Sequence, residues 1–140
     1  MLKGEYEYTL DDRGRLVMPP RFRGPMGERF VATRGFDGCV VLYPLLEWQR
    51  VEAKLAGEPL ENRRLVRYLL GSAVECELDR QGRFLLPPPL REHAGISREA
   101  VVVGLVNKVE VWSKERWQAY LQSTAQDEAA LLEGLRGLQL

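Results

Sequence analysis

The feature that most constrains the fold of this chain is an internal repeat. The segment Leu10-Asp11-Asp12-Arg13-Gly14-Arg15 returns 68 residues later as Leu78-Asp79-Arg80-Gln81-Gly82-Arg83. The same displacement aligns the proline pairs at 19–20 and 87–88, and a one-residue slip then aligns Trp48 with Trp117. Agreement at acidic, glycine, basic, proline and aromatic positions over about 40 residues is too extensive for chance. The chain therefore contains two copies of one module.

Each copy opens with a pattern typical of a strand that buries one face. Apolar and polar residues alternate at 6–10 and again at 74–78. The glycine of the D-x-x-G-R segment can adopt the positive φ of a tight turn, and a short apolar strand follows it. The pattern predicts a β-hairpin in each copy, and the prolines that end it suit the first turn of a short helix. Further strands are predicted near 30–33, 39–43, 100–105 and 109–112.

Helices are predicted after each set of strands. Residues 44–56 place Leu45, Trp48, Val51 and Leu55 on one stripe, and 59–70 is predicted as a helix that packs Leu60, Leu65 and Leu69. Ser113 is a good N-cap for a further helix. The tail from about residue 124 carries leucines at helical spacing, which should pack either on a partner or on the body of the protein. Those leucines are Leu131, Leu132, Leu135 and Leu138.

The expected fold class is α+β. A module of about 45 residues buries too little surface to be stable alone, so the two copies should cover each other's apolar faces as an intramolecular pseudo-dimer with helices around it. We divide the chain into a first module at 5–47, a helical connector at 48–73, a second module at 75–118 and a helical tail at 119–140.

Composition and charge restrict the functional classes. The formal net charge of the 140 residues is zero, yet sixteen of the twenty basic residues are arginine, which binds phosphates and guanine edges better than lysine. Their distribution matters more than the total, and the first turn region holds Arg13, Arg15, Arg21 and Arg23 against Asp11 and Asp12. No apolar run approaches the ~20 residues of a membrane span, and the N-terminus lacks the apolar segment of a secretory signal. We expect a cytoplasmic protein without a membrane segment.

Metal binding and catalysis are not expected. Cys39, Cys76 and His93 are far apart in sequence, whereas a zinc site needs about four such ligands, so both cysteines are interpreted as buried, reduced thiols. His93 beside Glu92 has no placed nucleophile and no equivalent in the first copy, so an enzyme is not predicted. The tryptophans are interpreted as packing residues. Arg63, Arg64 and Arg67 are interpreted as a solvated face or a subunit contact, with DNA contact as the alternative.

The D-x-x-G-R turn allows two interpretations. In the structural one, Asp11 pairs with Arg15 across the turn that Gly14 makes, and Asp79, Arg83 and Gly82 do the same in the second copy. In the functional one, each hairpin and the short helix that follows it present arginines to phosphates or to guanine edges in the major groove, which a two-stranded ribbon can enter. The two are compatible, because an aspartate can hold an arginine in place for contact.

The sequence resembles the MraZ family of transcriptional regulators, which belongs to the AbrB-type swapped-hairpin superfamily. The resemblance runs from about Lys3 to Tyr120. It rests on the two D-x-x-x-R motifs with their flanks: Lys3-Gly4-Glu5-Tyr6, Leu10-Asp11-x-x-Gly14-Arg15, Asp37-Gly38-Cys39 and Trp112-Ser113-x-x-x-Trp117. The motif is short and weak alone, but its duplication with these flanks is specific.

The resemblance implies a function and an assembly. Members of the family bind short direct repeats in double-stranded DNA upstream of the division and cell-wall gene cluster, and they form rings, typically octamers, that gain avidity across repeats. It implies a nucleoid-associated protein with no cofactor. The motif positions carried over are Asp11, Arg15, Asp79 and Arg83, with Gly14 and Gly82 making the turns. Arg13 and Arg80 are added as DNA contacts on electrostatic grounds. An antitoxin-like protein-binding module is the alternative, because AbrB-type hairpins also occur in antitoxins.

Overall fold

A computed structural model describes residues 1–139, in which a six-stranded antiparallel sheet, a two-stranded ribbon and six α-helices are present. The strands are β1 (Leu2–Thr9), β2 (Arg15–Val17), β3 (Arg29–Arg34), β4 (Val40–Pro44), β5 (Val74–Glu77), β6 (Arg83–Leu85), β7 (Glu99–Val106) and β8 (Val109–Ser113). The helices are α1 (Pro20–Met26), α2 (Leu45–Ala56), α3 (Arg63–Leu70), α4 (Pro88–His93), α5 (Lys114–Ala125) and α6 (Glu128–Gly137). The predicted α+β class is confirmed.

The two copies exchange strands. The order in the large sheet is β1-β7-β8-β4-β3-β5, so the first strand of each copy pairs with the third strand of the other. β1 pairs with β7 from Leu2↔Val106 to Thr9↔Glu99, and β5 pairs with β3 from Arg29↔Glu77 to Ala32↔Val74. β4 and β8 join the halves at the centre, and β2 pairs with β6 to form the separate ribbon. Every sheet in the described chain therefore needs both copies.

This exchange corrects the hairpin predicted within each copy. In the part of the chain that the structure describes, β1 does not pair with β2, and β5 does not pair with β6. The D-x-x-G-R segment does make a tight turn, but the strands on its two sides lie in different sheets. The prediction was wrong because alternation of apolar and polar residues reports which face of a strand is buried and carries no information about its partner.

One hydrophobic core lies between the ribbon, the sheet and the short helices. Leu16 and Phe84 lie opposite each other in the ribbon and point into this core, where the ring of Phe84 meets that of Phe30 edge-on at 5.1 Å between centroids. Phe22 from α1 and Leu90 from α4 occupy equivalent buried positions. The prolines before each short helix occupy its first turn, as predicted.

The helix predictions have mixed outcomes. Trp48 and Leu55 of α2 are buried as predicted, and the Ser113 hydroxyl accepts the N–H of Arg116 at 3.1 Å as the N-cap of α5. The predicted helix at 59–70 is helical only from Arg63, after a single 3-10 turn at Leu60–Asn62. The predicted packing of Leu60 is wrong, since it is 79% exposed. Pro59 opens the 3-10 turn, which breaks the helical spacing on which that prediction depended.

The C-terminal leucines are exposed: Leu131, Leu132 and Leu135 on α6 are 44% to 51% exposed, and Leu138, the residue after α6, is 70% exposed. The alternative in which they pack on the body of the same chain is therefore not what the structure contains. The last residue of the predicted tail, Leu140, lies outside the described residues.

The cysteines are free and buried, as predicted. Burial raises the pKa of the Cys76 thiol to about 11 and raises that of Cys39 further, so neither is a thiolate at neutral pH. Trp48 and Trp112 are buried, and Trp117 packs beside Trp112 and Tyr120, which confirms the packing interpretation of the tryptophans. Across residues 1–139, no helix is long and apolar enough to cross a bilayer.

Candidate functional site

The ribbon of β2 and β6 places four side chains on its outer surface. Its register pairs Arg15 with Leu85, Leu16 with Phe84 and Val17 with Arg83. Side chains alternate between the two faces of a strand, and Leu16 and Phe84 are buried. The opposite face therefore consists of Arg15, Val17, Arg83 and Leu85, and we call these four residues the ribbon face.

The first D-x-x-G-R turn is organised around the carboxylate of Asp11. Its Oδ1 accepts the backbone N–H groups of Arg13 and Arg15, each at 2.9 Å, and its Oδ2 accepts the side-chain Nε–H of Arg15 at 2.7 Å. The backbone closes with the N–H of Gly14 donating to the carbonyl of Asp11 at 3.0 Å. Gly14 has φ +78°, the left-handed conformation that the sequence analysis assigned to it.

The second turn repeats this geometry. Asp79 Oδ1 accepts the N–H groups of Gln81 and Arg83 at 2.8 and 2.9 Å, and its Oδ2 accepts the Nε–H of Arg83 at 3.2 Å. Gly82 has φ +75°. The structural interpretation of the motif is therefore confirmed in both copies, where the aspartate closes the turn and holds the arginine that follows it.

The two turns meet across the ribbon. Arg83 Nη1 lies 3.6 Å from the Oδ2 of Asp11, so the arginine of the second turn also contacts the carboxylate of the first. The side chains of Arg15 and Arg83 are 30% and 28% exposed, so each is half-buried and still reached by solvent. Because both guanidinium groups are held by carboxylates, they have fewer rotamers to lose when they bind something else.

Arg13 and Arg80 lie at the exposed tips of the turns. Neither forms an ion pair with any residue in 1–139, in contrast to Arg15 and Arg83. The tips differ between the copies, because Asp12-Arg13 in the first turn corresponds to Arg80-Gln81 in the second. Each turn thus joins one arginine held by an aspartate to one arginine that is free to extend.

Hydrogen bonding shifts the acidity of both aspartates. The backbone N–H of Arg15, donating to the carboxylate, is the main cause that lowers the pKa of Asp11 below its ordinary value of 3.8. The backbone N–H of Arg83 does the same for the pKa of Asp79. Both shifts follow from hydrogen bonds that favour the charged form, so the turns are built around ionised carboxylates.

This acidity predicts how the turns respond to pH. A carboxyl group whose pKa is lower in the folded than in the unfolded chain stabilises the fold above the unfolded pKa, and this contribution is lost as the pH falls through the folded value. We expect wild type to be more stable than the double variant Asp11→Asn, Asp79→Asn at neutral pH, with a difference that shrinks as the pH falls below 3.8. Denaturant unfolding of both proteins across this range measures it. A stability difference independent of pH would contradict the assignment.

Two arginines of the short helices lie against these turns. Arg23 of α1 contacts Gly82, and Arg91 of α4 contacts Gly14. The ribbon face also contains Val17 and Leu85, which the sequence analysis did not single out. Alternation in the two short strands could have placed them outward, because their neighbours Leu16 and Phe84 are the buried pair.

The remaining candidate residues lie elsewhere. Arg63, Arg64 and Arg67 are exposed on α3, and His93 ends α4, where its ring approaches that of Tyr68. Within the described part of the chain, no group of three or more histidine, cysteine, aspartate or glutamate side chains could hold a metal ion. The ribbon face and the two turns are thus the one place where the sequence-predicted site residues come together among residues 1–139.

A protein-family comparison identifies the relatives of this chain. The family described as "MraZ protein, putative antitoxin-like" matches residues 1–65 and again residues 69–133, so each match contains one D-x-x-G-R turn. The chain belongs to the MraZ family. The resemblance drawn from the repeated motif is therefore confirmed, and so is the tandem arrangement of two family modules.

Curated MraZ relatives are similar over most or all of their length. Proteins named "Transcriptional regulator MraZ" include one from Thermoanaerobacter pseudethanolicus, which is 48% identical over 127 residues and 89% of each chain. The protein of that name from Limosilactobacillus fermentum is 45% identical over 141 aligned positions and 99% of each chain. A third, from Moorella thermoacetica, is 47% identical over 136 residues and 95% of each chain.

Proposed function

We propose that this MraZ-family chain is a transcriptional regulator that binds double-stranded DNA through the ribbon face and the two D-x-x-G-R turns. The observation that carries the proposal is the position of Arg15 and Arg83, which lie diagonally on one accessible face, each held by an aspartate of its own turn and both within reach of the Asp11 carboxylate. The names of the relatives support the regulatory role. The protein is not an enzyme in this proposal, and it acts in the cytoplasm in association with the nucleoid.

A two-stranded ribbon is an element that the groove of a DNA duplex can accommodate. A two-stranded ribbon fits the major groove, about 12 Å wide, where the edge of each base pair can be distinguished. An arginine whose Nε–H is bonded to an aspartate still has the terminal N–H groups that bind guanine O6 and N7 as a pair. Val17 and Leu85 on the same face supply apolar contact of the kind that thymine methyl groups accept.

Charge divides the arginines into two roles. The carboxylates of Asp11 and Asp79 offset most of the long-range field of Arg15 and Arg83, so those two arginines act at short range, by reading base edges. Arg13 and Arg80 have no such partner within 1–139 and supply the attraction for phosphates. Base reading and phosphate attraction are therefore carried by different residues of the same turn.

The reciprocal strand exchange supports an AbrB-type swapped-hairpin arrangement, in which the two modules form an intramolecular pseudo-dimer. The exposed leucines of α6 support self-association, because apolar side chains on one helix face are stabilised when another chain covers them. We infer a homo-oligomeric ring such as an octamer, in which several protomers bind consecutive direct repeats upstream of the division and cell-wall gene cluster and gain avidity from the linkage.

A binding titration tests the proposal. The probe is the duplex immediately upstream of this protein's own gene, with a scrambled duplex of equal composition as reference, and sedimentation reports the mass of the free protein. We expect Arg15→Ala with Arg83→Ala to lose about 1–3 kcal/mol of preference per base contact. Arg13→Ala with Arg80→Ala should instead weaken binding to both duplexes and lower the salt slope by about 0.9 for each lost phosphate contact.

Circular dichroism of each variant verifies the fold. Wild-type binding that shows no preference for the upstream duplex at low salt would overturn the proposal. If the folded variant with Arg15→Ala and Arg83→Ala still prefers the upstream duplex, the ribbon face is not the DNA-binding surface.

A second candidate is an antitoxin-like protein-binding module, which the description of the family as antitoxin-like favours. In that case the ribbon face binds a protein, and the wild-type chain should show no preference for the upstream duplex over the scrambled one.

A further inference from the structure

Each of the short helices α1 and α4 places one arginine against the D-x-x-G-R turn of the other copy. Arg23 belongs to α1 of the first copy, and Arg91 occupies the equivalent position in α4 of the second. Arg23 lies against Gly82 in the second turn, and Arg91 lies against Gly14 in the first. The contacts are reciprocal, so the pseudo-symmetry of the chain provides the same observation twice.

The contact at Gly82 leaves no room for a side chain. A methyl group placed on the α-carbon of Gly82 would lie 2.5 Å from both Nε and Nη2 of Arg23, so the guanidinium packs directly against the glycine. Its Nε–H donates to the carbonyl of Met18 at 3.0 Å, and the N–H of Met18 donates to the carbonyl of Gly82 at 2.8 Å. Arg23 is thus hydrogen-bonded to Met18, which is itself hydrogen-bonded to Gly82 in the turn.

The contact at Gly14 is made through the end of the guanidinium and uses different acceptors. A methyl group there would lie 2.7 Å from Nη1 of Arg91 and 3.8 Å from its Cζ. Arg91 donates from Nε to the carbonyl of Ile96 at 3.1 Å and from Nη2 to that of Ser97 at 3.2 Å. The N–H of Leu86 donates to the carbonyl of Gly14 at 3.0 Å, as that of Met18 does to Gly82. Both guanidinium groups are therefore held by carbonyl acceptors while they contact a turn glycine, Arg23 over its centre and Arg91 through Nη1.

We propose that Arg23 and Arg91 are positioning residues for DNA binding, each holding the turn of the opposite copy so that Arg83 and Arg15 stay on the ribbon face. This inference rests on the proposed function. The planar guanidinium is required, because at Gly82 it lies over the glycine while Nε donates to a carbonyl, and at Gly14 it places Nη1 against the glycine while Nε and Nη2 donate to two carbonyls. A lysine ammonium keeps the charge but cannot cover the glycine in this way.

The test uses Arg23→Lys and Arg91→Lys in the full chain, with Arg21→Lys as the matched control, since Arg21 is exposed on the same helix α1 as Arg23. Amide hydrogen exchange by NMR is the first readout. We expect exchange to rise about tenfold at the backbone N–H groups of Gln81 and Arg83 in Arg23→Lys, and at those of Arg13 and Arg15 in Arg91→Lys. General destabilisation would not produce this crossed pattern.

DNA binding is the second readout. Each variant should lose about tenfold in affinity for the upstream duplex with an unchanged salt slope, because the charge is kept and no phosphate contact is removed. Arg21→Lys should change neither readout. The proposal would be overturned if amide exchange rose in the turn of the same copy as the substituted arginine, or in neither turn.

The two proposals fail in different ways. If wild type has no preference for the upstream duplex, the proposed function fails, and the role of these arginines in DNA binding fails with it. If wild type prefers that duplex and the lysine variants bind it equally well, only the positioning role fails.

Discussion

Replacing Phe84 with alanine should lower the free energy of unfolding by about 3–5 kcal/mol. Phe84 is 1% exposed and projects from β6, the ribbon strand of the second copy, against Phe30 in β3 of the first. The variant loses the transfer free energy of the ring and leaves a cavity between ribbon and sheet. Strands on both sides hold that cavity open, because β6 is bonded to β2 and β3 is bonded to both β4 and β5.

Denaturant unfolding at equilibrium measures this loss. Leu85→Ala is the matched control, because Leu85 is the next residue in the same strand but is 52% exposed on the ribbon face. Its truncation should cost about 1 kcal/mol or less, since little apolar area leaves a buried site. Equal losses at the two positions would contradict the assignment of Phe84 to the core and of Leu85 to the outer face.

Replacing Gly82 with alanine should cost about 1–3 kcal/mol and also weaken DNA binding. Two causes add in this variant. A φ of +75° is strained for any residue with a side chain, and the new methyl group must displace the guanidinium of Arg23. Displacement of Arg23 then disturbs the turn that holds Arg83, so the affinity for DNA should fall in the same variant.

Gly24→Ala is the control for this prediction. Gly24 lies in α1, and apart from its chain neighbours and the backbone of its own helix no heavy atom of the described residues lies within 4 Å of the added methyl group. Alanine is favoured over glycine inside a helix, but its methyl group crowds the ring of Pro25, so this variant should change the free energy of unfolding by less than about 1 kcal/mol. Thermal unfolding and the DNA titration together measure both variants. Gly82→Ala that behaves like Gly24→Ala would show that neither strain nor contact constrains the second turn.

Much of the site could be predicted because its chemistry is local. Asp11, Gly14 and Arg15 lie within five consecutive positions of one turn, so their residue types alone predict a closed turn with an aspartate–arginine pair. The repeat strengthened this, since Asp79, Gly82 and Arg83 show the same spacing. The short helices and the N-cap at Ser113 were also predictable, because prolines and capping residues act on their immediate neighbours.

The pairing partners of the strands and the arginines that contact the turn glycines could not be predicted. β1 shows clear alternation, but the choice of β7 over β2 as its partner depends on packing between the copies. Arg23 and Gly82 are distant in sequence, and nothing about an arginine and a glycine predicts that the two will be in contact. Leu60 failed for a related reason, because helical spacing was counted through a segment that Pro59 turns into a 3-10 turn.

Synthesis of this chain separates β1 from its partner in time. β1 leaves the ribosome before β7, yet all eight of its residues pair with β7, which is made about 90 residues later. At about 5–20 residues per second, the strand waits roughly 5 to 20 seconds with both edges open. An open strand edge is a template for aggregation, and charged side chains along it are a known protection. Lys3, Glu5 and Glu7 are all exposed on β1. Their charges therefore oppose aggregation of the nascent chain while β1 is still unpaired.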